Sequence, residues 1–425
     1  MIFVIVILIL LILGLSRKYI LRLEPAGMFS LWWMFSSGMA VVLNHYIIQR
    51  YTGTIFILFC VLAFTLGTRL CDMTQSGESV EGENVLSFRK ERATPLLVVL
   101  ILASMFNPLY SLYLHGFSFT SLFNMALLLH MNSEMSVDRY SGADTYSVLN
   151  QFFLVFSYLS PVIGGFCYRM VGRWTKILCI VTVIPGIFVA LTQAMKMGMI
   201  VGFILWFAGY VVCSFSYRLS LRVKFRYFFF IILGFFLFLA ILFLSLVFRT
   251  GELSTRALTD ISQKFLTYAL GHHHCFDLWY SSYELSEHTY GAMTFMGVSN
   301  LLGITNRVSG IYTEFTQIGT NGFYGISNVY TIFRPLIEDF GEPLTVVILF
   351  VFGFCSDKAR KSINRRSATC FCQTFLVAVY IYVLWSFVAS IYAYTSILTM
   401  FAFAYFVFLF LQKQEPSTST KPAAK

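Results

Sequence analysis

The residues whose types and spacing could do chemistry are concentrated in the C-terminal half of this sequence. From 325 to 341 it reads Gly-Ile-Ser-Asn-Val-Tyr-Thr-Ile-Phe-Arg-Pro-Leu-Ile-Glu-Asp-Phe-Gly. Pro335 suits the first position of a helix, which makes Arg334 the cap residue and sets Glu338 and Asp339 in the early turns, where the dipole favours acids. Asp339 then either serves that dipole and pairs with Arg334, or stands with it as a working pair. An arginine so placed could grip phosphate oxygens in bidentate fashion and stay charged when desolvated. Arg249, Arg256 and Arg307 are further cations of the same region. Each also has a bland reading: a snorkelling anchor, an i,i+4 partner of Asp260, and a solvated loop charge. Upstream, His272, His273 and His274 precede Cys275 and Asp277. Such a run can cap a helix C-terminus or supply a proton acceptor with a pKa near neutrality. Adjacent residues cannot all face one ion and no second ligand cluster follows, so no metal and no cofactor is expected.

What must position these residues is a membrane bundle. Hydrophobic residues are 58% of the 425 and charged residues 12%, against an ordinary charged share of about 25%. Mean hydropathy is +0.74. A soluble enzyme, a nucleic-acid binder and a secreted disulfide scaffold are excluded. Apolar runs of bilayer-spanning length fall at 1–16, 27–48, 53–69, 94–114, 146–168, 176–194, 197–217, 227–248, 337–356, 370–391 and 394–411. The fold class expected is an all-α polytopic membrane protein of about eleven (ten to twelve) transmembrane helices. The first run has no basic residues before it and no small-residue cleavage site, so it reads as a retained helix entering from outside. Threaded from there, segments 17–26, 69–93, 169–176, 218–226, 357–369 and the tail from 412 share one side and hold 22 of the 30 Lys and Arg. The positive-inside rule makes that side cytoplasmic. The net charge of +10 is thus a topology signal, and no nucleic-acid role is assigned.

The layout divides into an N-terminal bundle (1–248), a large outward loop (249–342), C-terminal helices (343–411) and a polar, disordered cytoplasmic tail (412–425). Within the first part, 117–131 is too short to span and reads as re-entrant or interfacial. Within the loop, 252–270 reads as an amphipathic helix ended by Gly271. Pro108, Pro161 and Pro185 are expected to interrupt the fourth, fifth and sixth spans and shape a groove. Cys275 is the only cysteine of the loop, so no disulfide staples it. The loop tyrosines, Tyr324 and Tyr330 among them, offer flat amphipathic faces that suit sugar rings and membrane interfaces alike.

The pattern Asn328-Val329-Tyr330-Thr331, then Arg334, then Asp339-Phe340-Gly341, after a large outward loop, resembles the Wzy-type O-antigen and oligosaccharide repeat-unit polymerases of Gram-negative bacteria. The matching motif covers about fourteen residues, and 291–297 is a looser match. The resemblance implies a multi-pass inner-membrane protein, similar to lipid-dependent glycosyltransferases of the GT-C kind, whose active face is periplasmic and whose C-terminus is cytoplasmic. It implies a metal-independent transfer of a glycan from undecaprenyl diphosphate onto a second undecaprenyl-diphosphate-linked repeat unit, with membrane lipid and a chain-length regulator as partners. Carried onto this sequence, Arg249 and Arg334 would hold the diphosphate, with Arg307 and Arg256 behind them. Asp339 or His274, then Glu314, would take the acceptor proton, and Asn328, Tyr330 and Tyr324 would face the glycan. A carboxylate beside arginine is a weak base, which favours His274. The rival readings are an O-antigen ligase, a flippase or transporter of lipid-linked oligosaccharide, and a non-catalytic scaffold.

Overall fold

A computed structural model describes residues 1–42, 50–74, 86–118, 148–192, 196–221, 255–284, 287–305, 311–318, 325–363 and 369–414, with short pieces between 120 and 135 and between 240 and 247. In chain order the elements are α1 (Ile2–Leu21), α2 (Pro25–Val42), α3 (Thr52–Thr74), β1 (Leu86–Phe88), α4 (Lys90–Leu114), α5 (Val148–Cys167), α6 (Arg173–Val181), α7 (Ile184–Thr192) and α8 (Lys196–Ser216). They continue with α9 (Thr255–Ser282), α10 (Met296–Leu301), β2 (Thr316–Gln317), β3 (Ile326–Ser327), α11 (Phe333–Ser362), α12 (Thr369–Trp385), α13 (Thr395–Leu411) and β4 (Gln412–Gln414). The chain is an all-α membrane protein in outline: α1, α3, α4, α5, the α6–α7 pair and α8 are each long and apolar enough to cross a bilayer. Helices α2, α11, α12 and α13 fall on other expected runs. The run 227–248, most of 117–131 and the tail from 415 lie largely or wholly outside the described residues.

Two helix crossings bring the bundle together. Gly67 of α3 faces the Phe350 carbonyl and Gly353 of α11 faces that of Phe64. In the same way Gly165 of α5 meets Trp206 and Gly209 of α8 meets Val162. A Cβ at any of the four would overlap the partner's backbone, so glycine is what lets these axes approach. The Lys361 ammonium donates to the Cys71 carbonyl farther along, so α3 and α11 run parallel, as the third and ninth expected runs must.

The bundle has two chemically different ends. At the basic end, Lys361 pairs with Asp72 at 2.9 Å and Asp357 at 3.1 Å, Arg360 pairs with Asp357 at 2.6 Å and Glu24 at 3.5 Å, and Lys18 pairs with Asp72. Also at this end, β1 pairs antiparallel with β4. These groups come from segments expected to share one side, or from the helix ends that abut them. At the opposite, loop end, α9 packs on α2 and α3. Three expectations need correction. The helix of the loop does not stop at 270: α9 runs through Gly271, which is there for close approach, since a Cβ would stand 2.8 Å from Ile318. Pro108 and Pro161 remain inside continuous α4 and α5. Only the run containing Pro185 is broken, between α6 and α7, where proline supplies no amide hydrogen to the preceding turn.

Candidate functional site

The loop end is built on acids spent as backbone clamps. Asp277, fully buried, accepts from the amides of Arg50 (2.6 Å), Tyr51 (2.8 Å), Gly53 (2.8 Å) and Thr54 (3.2 Å), the unpaired donors that open α3. One turn earlier, His272 Nε2 meets Ser36 Oγ at 3.2 Å and His273 Nε2 meets Ser37 Oγ at 3.3 Å. These two rings lie among Trp32, Trp33 and Phe387. They peg α9 to α2 and do not cap a helix end, because the helix continues for another two turns. His274 is 1% exposed and burial lowers its pKa to about 4, leaving the ring neutral at physiological pH. A pKa lowered in this way makes the ring a weak proton acceptor. Among the described residues no group of three or more His, Cys, Asp or Glu could hold a metal ion.

Asp339 is a second clamp. The α11 helix is interrupted at Gly341, whose φ of +74° and ψ of 169° glycine adopts without strain. Pro343 follows, so the 338 and 339 carbonyls lack their helical donors and accept instead from the amides of Thr289 (3.1 Å) and Tyr290 (3.2 Å). The Asp339 carboxylate, 0% exposed, accepts from Thr289 Oγ1 at 2.6 Å and from the amides of Met293 at 2.9 Å and Thr294 at 2.7 Å. The expected Asp339–Arg334 pair is absent among the described contacts, and Asp339 is a positioning group for 289–296. The two segments that the family resemblance singles out, 328–341 and 291–297, are thus stitched together.

Arg334 lies in an aromatic cage. Its guanidinium carbon stands 3.8 Å from the Tyr312 ring centroid, 4.3 Å from Tyr330 and 5.0 Å from Trp279. Its Nε donates to Glu338 at 2.8 Å and one terminal nitrogen to Glu314 at 3.1 Å, while the other, Nη1, is buried with no hydrogen-bond partner. Burial and the Glu338 charge hold the Tyr312 phenol well above its ordinary pKa, and it donates to Glu338 at 2.7 Å. Asn328 donates to the Tyr312 carbonyl at 2.9 Å. The Tyr330 hydroxyl lies 2.7 Å from that of Thr316 and 3.1 Å from the Glu314 carbonyl. Asn328 and Tyr330 therefore build the cage and do not offer these groups to a glycan. Glu314 is a partner of Arg334. Arg249, Arg307 and Tyr324 lie outside the described residues, as does the side chain of Arg256.

Two charged residues that sequence reasoning left aside also reach this end. Exposed Arg50 donates to Ser281 Oγ at 3.2 Å. Exposed Glu342 heads the second leg of α11, just after the break at Gly341. The signals for them were slight: an arginine in a short outward turn, and an acid squeezed between Gly341 and Pro343. No protein-family model, curated protein or solved structure matches the chain.

Proposed function

We propose that the protein is a lipid-linked oligosaccharide polymerase of the Wzy kind, a metal-independent glycosyltransferase. In this reading about eleven helices span a Gram-negative inner membrane in a GT-C-like arrangement. The loop end and N-terminus face the periplasm and the basic end and C-terminus the cytoplasm, following the distribution of Lys and Arg. The substrates are two undecaprenyl-diphosphate-linked repeat units, and one undecaprenyl diphosphate is released per transfer.

The observation that carries the reading is the caged arginine of the 328–341 stretch, buried at the loop end with Nη1 unsatisfied. Its charge is not freely available, because Glu338 and Glu314 both pair with it. The two acids differ, however. The Glu314 side chain is 68% exposed and reaches Arg334 through one contact, whereas the Glu338 side chain is 17% exposed. A diphosphate, carrying more charge and more oxygens than one carboxylate, competes with Glu314 for the terminal nitrogen of Arg334 that Glu314 holds. Glu338 and the three rings hold the guanidinium plane in place, so little reorganisation is needed when charge develops on the leaving group. Placement at the bundle end, with the described helix interiors nearly free of acids and bases, favours chemistry at the surface over conduction through the bundle.

The test is a gel of surface polysaccharide from a deletion strain complemented with wild type or Arg334→Ala. A polymerase leaves single capped repeat units and no ladder in the deletion, and Arg334→Ala inserts in the membrane without restoring the ladder. Complete loss of capping assigns a ligase, and a wild-type ladder from Arg334→Ala removes the arginine from the chemistry.

A further inference from the structure

The basic end has two halves of different charge. In the half built by α1, α3 and α11, the acids Glu24, Asp72 and Asp357 pair with Lys18, Arg360 and Lys361. The other half lies where α5 turns into α6 and where α8 ends. It belongs to the same end, because Gln373, near the start of α12, donates to Ser216 at the end of α8 at 2.8 Å. From 145 to 251 the sequence contains no Asp or Glu, and Arg169, Arg173 and Lys176 fall within that stretch. Among the described residues none of the three has a carboxylate partner. The neighbouring α4 is tied to α6 where the Thr94 and Thr175 hydroxyls meet at 2.9 Å. Its single acid, Glu91, is exposed between Lys90 and Arg92 and makes no ion pair among the described residues.

Rings and backbone hold these cations where acids do not. Arg169 donates through Nη1 to Ser214 Oγ at 3.0 Å and to the Ser220 carbonyl at 2.9 Å, and its guanidinium carbon stands 5.5 Å from the Tyr210 ring centroid. The Lys176 ammonium stands 5.5 Å from the Tyr168 centroid. The two rings are 6.2 Å apart and both pack against Trp206, whose indole donates to the Cys179 carbonyl at 2.9 Å. Two cations are thus set on one aromatic platform. Among the described contacts only Nη1 of the Arg169 fork is used, which leaves its Nε and Nη2 donors for an oxygen-rich anion. The approach is open: Arg173 and Trp174 are exposed, and a Cβ at Gly172 would meet nothing within 4 Å. From this turn an apolar stripe of exposed Trp174, Ile177, Ile180 and Ile184 runs toward the bundle's middle and continues across the break between α6 and α7.

We propose that this corner binds the headgroup phosphate of an anionic phospholipid, gripped by Arg169, Arg173 and Lys176, with an acyl chain lying along the Trp174–Ile184 stripe. Cations at a membrane surface that lack acids of their own attract the anionic lipid of the adjoining leaflet. An indole at the headgroup level is the usual anchor there, and Trp174 is 81% exposed. A soluble anion would meet the charges and leave the stripe bare, whereas a phospholipid fits both. The site lies at the opposite end of the bundle from Arg334 and is independent of the reaction proposed there.

In the experiment the full chain in detergent micelles is titrated with dioleoyl phosphatidylglycerol or dioleoyl phosphatidylethanolamine, and bound lipid is counted by native mass spectrometry. A surface cation contributes about five-fold to anionic-lipid affinity. Arg169→Gln/Lys176→Gln is therefore expected to lose about 30-fold of the wild-type preference for phosphatidylglycerol, and Arg173→Gln about five-fold. Lys18→Gln, which removes a cation that Asp72 already pairs, should keep the preference. Should the double variant fail to fold, Arg173→Gln, whose side chain is exposed, decides alone. Equal binding of the two lipids by wild type overturns the site. So does an undiminished preference in the double variant, or in Arg173→Gln where the double variant does not fold. An equal loss in Lys18→Gln reduces the effect to overall charge and overturns it too, and displacement of the lipid by millimolar inorganic phosphate overturns the lipid assignment in favour of a soluble anion.

Discussion

Asp339→Asn separates a clamp from a catalyst. The substitution keeps the side-chain shape and removes its charge. With its oxygen at the Oδ1 position, asparagine still accepts from Thr289 and Met293, whose bonds are 2.6 and 2.9 Å in the native protein. Its NH2 then opposes the Thr294 amide, which now donates to Oδ2 at 2.7 Å. One charge-assisted hydrogen bond is lost, worth about 1.5–3 kcal/mol, and a buried amide is left without an acceptor. Taking 2–3 kcal/mol for local opening, amide exchange across 289–296 should speed up by about 30- to 150-fold, at 1.4 kcal/mol per decade. The assay is hydrogen exchange with mass spectrometry on detergent-solubilised protein, run beside an assay of glycan elongation. The clamp argument expects faster exchange and weaker elongation together, because the same clamp holds the helix leg that carries Arg334 against 289–294. Native exchange rates with elongation abolished would refute it and return Asp339 to the role that the family resemblance gave it.

Two further outcomes follow from the packing and from the basic end. Gly353→Val places a side chain against the Phe64 backbone and should cost about 3 kcal/mol or more, whereas Gly38→Val, at a position with nothing within 4 Å, should leave the thermal midpoint unchanged; equal midpoints would dismiss the close α3–α11 crossing. Glu24, buried and without a hydrogen bond to either oxygen, has its pKa pushed up to about 7 by burial, with Asp357 and Asp72 adding to the rise and Arg360 and Arg22 opposing it. A raised carboxyl pKa means that the native state holds the proton more tightly, so the stabilisation is present below the unfolded value near 4.5 and is lost as pH rises through 7. Melting of wild type against Glu24→Gln from pH 5 to 8 should therefore show wild type losing up to about 3 kcal/mol relative to the variant, and parallel curves would count against that account.

The elements and the separation of the two ends were legible because the bilayer writes them locally. A run of twenty apolar residues or a cluster of lysines needs no distant partner to be read. The functional side chains were not legible in the same way. Arg334 was singled out from its place beside Pro335, but the cage around it comes from residues at 279, 312 and 330, and its second acid from 314. Asp339 was paired with its near neighbour in sequence because the dipole rule acts within a turn, whereas its actual partners lie at 289, 293 and 294. Gly271 deceived for a different reason. A glycine after an amphipathic stretch is the same letter whether it ends a helix in a left-handed turn or admits a neighbour at close range, and only the nearness of Ile318 distinguishes the two.

That contrast bears on how a short motif should be read in a membrane protein. The parts of 328–341 that could be argued from local rules, the aspartate and the glycine, serve to hold a backbone break in place. A break at the mouth of a bundle has two consequences: it leaves carbonyls that must be satisfied by another segment, and it swings the next residue away from the line of the first helix leg. Thr289 and Tyr290 meet the first need, and Glu342 is the residue displaced. In the same way Asp277, by fixing the amides of 50–54, fixes where the Arg50 side chain begins. Buried carboxylates with three or four donors are taken up by those donors, and what they do is fix the positions of the backbone segments around them.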